Sequence, residues 1–331
     1  MNTFIFKTPT SVDDAINLNA SGPSRFLAGG TTILDLMKCN VEDPQQLVDI
    51  SRLKALRDIT FTQNTMRIGA LVRMSELASH AECQRRAPAI YDSLWQAASP
   101  QLRNMATIGG NLRQRTRCAY FRDPATFPAC NKRQPGSGCS ALDGINRGHA
   151  ILGGSEACVA VYPGDLAVAL TAFDAQIVLR NAQQQERRVP VEMFFLLPQH
   201  TPHLEHDIAA DEMIVAVEVP LSSALKHSHY MKVRDRASYE FAAASAAVGL
   251  EMHGDTISDI RIALGGVATK PWRADEVEEA LRGKPFSETL IRQAAERAVL
   301  NAKALTHNHA KIVLVPRVIS RALLIAAEKL S

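Results

Sequence analysis

Four of the six cysteines fall inside one stretch, at Cys118, Cys130, Cys139 and Cys158, with the spacing C-x11-C-x8-C-x18-C. No CxxC pair is present, so the common structural zinc patterns do not fit, and neither does bacterial ferredoxin spacing. Spacing leaves three chemistries open: a [4Fe–4S] cluster on four thiolates, two disulfides, or unlinked thiols. A reducing cytosol disfavours the disulfides. Buried unlinked thiols usually sit in apolar runs. Cys118, Cys130 and Cys139 instead have polar or Pro/Gly neighbours, as in Asn131-Lys132-Arg133-Gln134-Pro135-Gly136-Ser137-Gly138. Arg115, Arg117, Arg122, Lys132, Arg133 and Arg147 lie close by and could offset thiolate charge. Cys39 and Cys83 fall in or beside helical patterns and read as small buried apolar residues.

Two glycine pairs flank this region. The first, Gly29-Gly30-Thr31-Thr32, follows a short apolar run and precedes a helical pattern. A strand, a glycine turn and a helix start together expose backbone N–H groups to an anion. The second is Thr107-Ile108-Gly109-Gly110-Asn111. Neither matches GxGxxG or GxxxxGK[ST], which excludes a Rossmann fingerprint and a P-loop. Each turn alone reads as a plain turn with a threonine cap; the pair together puts phosphate cradling on an equal footing. A third turn, Tyr162-Pro163-Gly164-Asp165, leads into the apolar run Leu166 to Leu170. Glu76 and His80 stand four residues apart without an HExxH pattern and read as a solvated helix face. His200, His203 and His206 lie beside Pro198 and Pro202 and read as a solvated loop. No general base or nucleophile stands out, so no catalytic residue is assigned.

The elements that must position these residues alternate between strands and helices. Strand patterns cover 4–6, 25–28 (read as buried), 46–50, 66–71, 175–180, 211–220 (read as alternating), 228–233, 241–250 and 257–264. Helical patterns cover 11–18 with Ser11 as N-cap, then 33–38, 74–80, 87–98, 166–172, 275–281, 287–300 and 316–330. A boundary near 221–226 divides the 331 residues into segments 1–222 and 223–331, with an insertion at 112–160. The class is α+β. Hydrophobic residues make up 46% and charged residues 21%, as in ordinary globular proteins. A net charge of +3 is too small to argue for nucleic acid. No apolar run approaches the ~18 residues of a membrane span. Residues 1–10 lack a signal-peptide pattern, so the chain is expected to be made in the cytoplasm and to leave it only folded, with a partner that carries a signal.

Taken together, these pieces resemble the flavoprotein (medium) subunit of molybdenum-containing hydroxylases. The matching residues are Phe26 to Thr32, Arg67-Ile68-Gly69-Ala70, Thr107 to Asn111, Gly164-Asp165-Leu166-Ala167, and Lys232 with Arg234. Gly265-Gly266-Val267-Ala268, followed by Pro271 and Arg273, matches the C-terminal part. A cysteine-bearing insertion between the second and third turns also resembles 4-hydroxybenzoyl-CoA reductase. The segments around Cys118, Cys130, Cys139 and Cys158, with Lys232 to Tyr239 and Lys270 to Arg273, look closer to the FAD subunit of bacterial periplasmic aldehyde oxidoreductases.

The resemblance implies an FAD-binding fold of the vanillyl-alcohol oxidase and p-cresol methylhydroxylase type (PCMH/VAO). It has two subdomains, followed by a C-terminal α+β domain like that of CO dehydrogenase flavoproteins. Carried over by position, Leu27, Ala28, Gly29, Gly30, Thr31, Thr32, Ile33 and Leu34 would wrap the FAD pyrophosphate. Thr107, Ile108, Gly109, Gly110 and Asn111 would contact the pyrophosphate and ribitol side, and Asp165 the flavin nucleotide. Ile214 and Lys232 would lie beside the isoalloxazine, and Ala97 stands where some relatives place an aromatic. The resemblance raises the [4Fe–4S] reading of Cys118, Cys130, Cys139 and Cys158 above the others.

The implied work is electron transfer within a heterotrimer. A molybdenum-cofactor large subunit would turn an aldehyde and water into a carboxylic acid. A [2Fe–2S] small subunit would pass the electrons to this FAD, and an external acceptor would take them. The implied location is the periplasm, with the cytoplasm as alternative. The competing readings are a stand-alone FAD oxidase or dehydrogenase of the same fold, and the medium subunit of a 4-hydroxybenzoyl-CoA reductase or xanthine dehydrogenase type enzyme.

Overall fold

Three β-sheets order the chain, and the computed structural model describes residues 1–330 of it. The first sheet is parallel and holds β1 (Ile5–Lys7), β2 (Ser24–Leu27) and β3 (Gln46–Asp49) in the order β1-β3-β2. Helix Val12–Ala20 makes the crossover. Its Ser11 cap accepts from the Asp14 N–H at 3.1 Å, and Asp13 and Asp14 favour the positive helix end. In the central strand β3, Leu47 and Val48 are buried. Strand β2 is an edge strand and mostly half-buried or exposed, not buried as its short apolar run implied, because no strand covers its outer side.

The second sheet is antiparallel: β4 (Ile59–Phe61), β5 (Thr65–Gly69), β6 (Gln176–Asn181), β7 (Glu186–Pro190) and β8 (Glu212–Pro220), in the order β4-β5-β8-β6-β7. The central strand β8 is buried without a break from Glu212 to Val217, since both its faces are covered, so the period-two pattern of its sequence is not its burial pattern. One face carries helices Met74–Ala78, Pro88–Trp95 and Asp165–Ala172 over a core of Ile68, Ile90, Leu166 and Ile177. All eight residues of Asp165–Ala172 are buried. The other face meets the first sheet through Ile16, Val48, Val178 and Val215.

The third sheet is antiparallel, with β9 (Ser228–Val233), β10 (Ala244–His253), β11 (Thr256–Gly265) and β12 (Trp272–Arg273) in the order β12-β11-β10-β9. Helices Asp275–Leu281, Glu288–Ala295 and Ala310–Glu328 complete a second core around Val248, Ile262, Leu281 and Leu323. The last helix starts six residues before Pro316, which lies buried inside it. Packing against β9 and β10 outweighs the backbone bond that proline removes.

Two smaller readings change. Helix Ala81–Arg86, not expected from the pattern, follows a first helix that ends at Ala78. Glu76 therefore caps the Arg73 N–H at 2.8 Å, and His80 stacks on Phe61 with ring centroids 5.0 Å apart; the two do not form a solvated pair. No helix among the described residues is long and apolar enough to cross a membrane.

Candidate cofactor cleft and cysteine cavity

A cleft of about 490 Å³ opens between the first sheet and the start of β8, within the usual size range of small-molecule sites. Ala28, Gly29, Gly30, Thr31, Thr32 and Ile33 form one wall, and Thr107, Gly109 and Gly110 another. Ile214 of β8 reaches the same space. Leu27, Leu34, Ile108 and Asn111 are not part of the lining.

The first glycine turn is open. Gly30 has φ +74°, a left-handed conformation that glycine adopts without a Cβ penalty. A Cβ on Gly29 would lie 1.9 Å from the Met105 carbonyl oxygen, so only glycine allows that approach. Among the described residues, nothing accepts from the N–H groups of Thr31, Thr32 and Ile33, and neither threonine hydroxyl has a partner. Three backbone and two side-chain donors therefore face the cleft unengaged.

The second glycine turn is closed. It is the first turn of helix Ile108–Leu112, capped by Thr107, whose hydroxyl accepts from the Gly110 N–H at 3.2 Å. The Ile108 N–H donates to the Val72 carbonyl and the Gly109 N–H to the Ala70 carbonyl, each at 2.9 Å, and the Asn111 N–H donates to the Thr107 carbonyl at 2.8 Å. The N–H groups of Ile108 to Asn111 are thus engaged within the chain, those of Ile108 and Gly109 holding the helix to the loop after β5. A Cβ on Gly109 would come within 3.0 Å of the Ala70 Cβ, so these glycines serve close packing.

Ion pairs rim the cleft. Glu42 accepts from Arg115 at 2.6 Å and from Arg25 at 3.1 Å. Glu205 pairs with Arg115 and accepts from Lys132 at 2.9 Å. Burial alone would raise the Glu205 pKa, but Lys132 and Arg115 hold it down at about 2. His206 is not in a solvated loop. It packs against Phe194 and Phe195, and its Nε2 lies 3.2 Å from the Leu112 carbonyl. Burial, with Arg113 nearby, pushes its pKa down to about 3 and keeps it neutral. Arg113 lines the cleft and is exposed, and partial loss of hydration among the cleft's side chains lowers its pKa. The sequence reading missed Arg113; its position directly after the second turn was the available signal.

Asp165 and Lys232 meet each other but not the cleft lining. The Lys232 ammonium donates to Asp165 at 2.8 Å and to the Gln96 carbonyl at 3.1 Å, and the Tyr230 hydroxyl donates to Asp165 at 2.7 Å. Burial raises the Asp165 pKa, opposed by Lys232. This trio ties helix Asp165–Ala172 to β9 behind the second turn.

Cys118, Cys130, Cys139 and Cys158 line one enclosed cavity with Phe121, Ala129 and Ala160. All four are free thiols, so the disulfide alternative is not what the structure shows. Cys130 and Cys139 face each other across an isolated antiparallel bridge, made possible by Gly136 and Gly138 at φ +85° and +98°. Burial pushes the Cys118 thiol up to about 12, and its Sγ lies 3.2 Å from Nε2 of His149. The space at the centre is about 10 Å³, the size of one water. Among the described residues, no three His, Cys, Asp or Glu side chains converge on a point that could hold a metal ion.

The expected cationic surroundings are otherwise engaged. Arg117 and Arg122 pair with Asp35, Arg115 and Lys132 with Glu205, and Arg147 with Asp235. Arg133 donates to the carbonyls of Tyr120, Phe121, Phe127 and Pro128. Of the remaining cysteines, Cys83 is buried as expected, while Cys39, at the end of helix Ile33–Lys38, is half-buried.

A donor-rich glycine turn over a deep cleft, in an α+β chain with a separate C-terminal sheet and helix layer, defines a nucleotide-cofactor protein. The chain belongs to the family described as the FAD binding domain in molybdopterin dehydrogenase, whose model matches residues 2–222. The CO dehydrogenase flavoprotein C-terminal domain matches residues 228–312. The aldehyde oxidoreductase FAD-binding subunit PaoB of Escherichia coli (strain K12) is 43% identical over 282 residues, 85% of this chain and 86% of that protein. The glyceraldehyde dehydrogenase medium chain of Sulfolobus acidocaldarius is 29% identical over 295 residues, 89% of this chain and 86% of that one. Carbon monoxide dehydrogenase from Hydrogenophaga pseudoflava, in a form lacking the Mo-pyranopterin moiety, has a similar fold, with a TM-score of 0.76 at 27% identity over 99% of this chain and 98% of that one.

Proposed function

We propose that this chain is the FAD-carrying electron-transfer subunit of a molybdenum-dependent aldehyde oxidoreductase. The observation that carries the reading is the 43% identity to an aldehyde oxidoreductase FAD-binding subunit over 85% of the chain. The cleft supports it. Unengaged donors at Thr31, Thr32 and Ile33 suit an anionic dinucleotide, and Thr107, Gly109 and Gly110 line the opposite wall. FAD supplies reversible two-electron chemistry, which can proceed one electron at a time. The protein's part is to hold the diphosphate at the first turn and shape the flavin end with Ile214. Asp165 and Lys232 fix the helix behind. Movement of Asp165 and Lys232 toward the flavin is part of the proposal.

The proposed partners are a molybdenum-cofactor large subunit, where aldehyde and water give the carboxylic acid, and a [2Fe–2S] small subunit. An external acceptor takes the electrons from this chain. The proposed division lies at 222/223. Export folded with a partner would place the complex in the periplasm. The four free thiols that line one cavity would be the donor set of a [4Fe–4S] cluster, whose seating would require them to rearrange from their present spacing. We place that cluster at the periphery of the electron path.

Anaerobic purification with a count of flavin, iron and molybdenum tests these readings. One FAD per chain, about four irons and co-purifying molybdenum are expected. FAD without iron would remove the cluster but leave the flavoprotein. Well-folded protein without flavin would remove the central claim. Replacement of Cys130 with Ser should release iron while flavin stays bound.

A further inference from the structure

Carboxylates from Glu42, Glu205 and Glu212 line the cleft and leave its cations unevenly paired. Three guanidinium groups line it, from Arg25, Arg113 and Arg115. Arg25 and Arg115 are bound to carboxylates, the first to Glu42 and the second to Glu42 and Glu205. Lys132 shares Glu205 with Arg115. Among the described residues, Arg113 alone of the lining cations has neither an ion pair nor a side-chain hydrogen bond. Its backbone is anchored, since its N–H closes the helix Ile108–Leu112 on the Gly109 carbonyl at 3.3 Å.

The Arg113 side chain is exposed and has no partner, and lost hydration lowers its pKa. Arg25 and Arg115 add to that lowering by repulsion, while Glu205 and Glu42 oppose it. An unpaired arginine in a concave site fits a ligand bearing an anion with a fork-shaped face. The closed state of the second glycine turn adds to the argument. The N–H groups of Ile108, Gly109, Gly110 and Asn111 are all engaged within the protein, so these four offer an anion no backbone donor. On the facing wall the Thr31 and Thr32 hydroxyls are unengaged.

We propose that Arg113 is the diphosphate clamp of the cleft, supplying from the second wall the charged donor that the second glycine turn cannot. The inference rests on the FAD reading above and deepens it. Arg113 binds the two phosphoryl groups with its guanidinium while the first turn binds them from the other side. Its place at the start of the cysteine-bearing segment makes that segment part of the cofactor site.

The test is binding, read on flavin-depleted protein by fluorescence and calorimetry with FAD, ADP and riboflavin. Arg113→Gln should weaken FAD and ADP alike, by about 10- to 100-fold, the usual size of a lost charged hydrogen bond in a shielded site. Riboflavin, which carries no phosphate, should bind both proteins equally. Arg113→Lys, which keeps the charge and loses the fork, should recover part of the loss. An unchanged melting temperature of the depleted variant would show that the fold is intact. Equal FAD and ADP affinities in wild-type and Arg113→Gln would overturn the clamp while the flavin reading stands. An equal loss for riboflavin would also overturn it, by showing a general distortion of the cleft. Wild-type protein that takes up neither FAD nor ADP would overturn the flavin reading and the clamp with it.

Discussion

At Gly29–Thr32 the backbone and hydroxyl donors point into a cleft and meet nothing. At Thr107–Asn111, which also combines threonine with paired glycines, every backbone donor from Ile108 to Asn111 is engaged by the chain itself. The difference comes from what lies beside each turn. The first follows an edge strand, whose outer side no strand covers. The second runs alongside the loop after β5, whose Ala70 and Val72 carbonyls need partners and find them there. Glycine therefore serves ligand access in one turn and close helix packing in the other.

The largest effect should come from adding one methyl group at each turn. Gly29→Ala sets a Cβ against the backbone of Met105, which cannot rotate away. We expect about 3 kcal/mol of destabilisation, the upper end of ordinary overpacking, together with loss of cofactor. Gly109→Ala meets the Ala70 Cβ at 3.0 Å and the Ala70 carbonyl oxygen at 3.2 Å, a milder approach than at Gly29, and alanine returns up to about 1 kcal/mol of helix propensity. Urea unfolding of both variants checks this; equal losses would erase the contrast between the turns.

The rim between the two walls should come next. Glu205 has a folded pKa near 2 against an ordinary value of 4.5, because Lys132 and Arg115 outweigh its burial. A depressed acid stabilises the fold above its unfolded pKa and loses that contribution as pH falls through the folded value. Glu205→Gln should therefore cost about 2 kcal/mol at neutral pH, less than a fully orphaned ion, since Lys132 keeps the Pro202 carbonyl and Arg115 keeps Glu42. The cost should shrink as pH falls from about 4.5 toward about 2. A pH-independent loss would show that packing, not charge, fixes the rim.

How far the sequence revealed this contrast depends on the range of the interactions involved. Ser11 as a cap, the helix after Gly30 and strands β9, β10 and β11 of the third sheet rest on local patterns, and the structure contains them, while β12 lies outside the strand patterns. The four cysteines read as candidates for one centre, and they line one cavity. What escaped was set by distant partners. The second turn reads as open until Ala70 and Val72 are placed beside it. His206 reads as solvated until Phe194 and Phe195 close over it. Lys132 reads as a neighbour of thiolates, but Glu205, 73 residues away, takes its charge. Arg113 carried no motif; only its lack of a partner in the folded chain sets it apart.

The smallest changes in stability give the sharpest separation, because they remove one hydroxyl at a time. Thr107→Val deletes the group that caps Gly110, so it should cost about 1 kcal/mol of stability. The Thr107 oxygen only accepts in that cap, so its O–H is left to donate, and any loss of FAD affinity reads that donation. Thr31→Val and Thr32→Val delete hydroxyls with no partner in the protein. They should leave stability within about 0.5 kcal/mol, yet weaken FAD by about 5- to 10-fold each, the usual worth of a hydrogen bond to an anionic ligand. Melting temperatures of flavin-depleted protein and FAD titrations, run on the three variants together, read both quantities. If Thr107→Val lost affinity without stability, the Thr107 O–H would be a donor to the ligand and the second turn would share in binding while it stays closed.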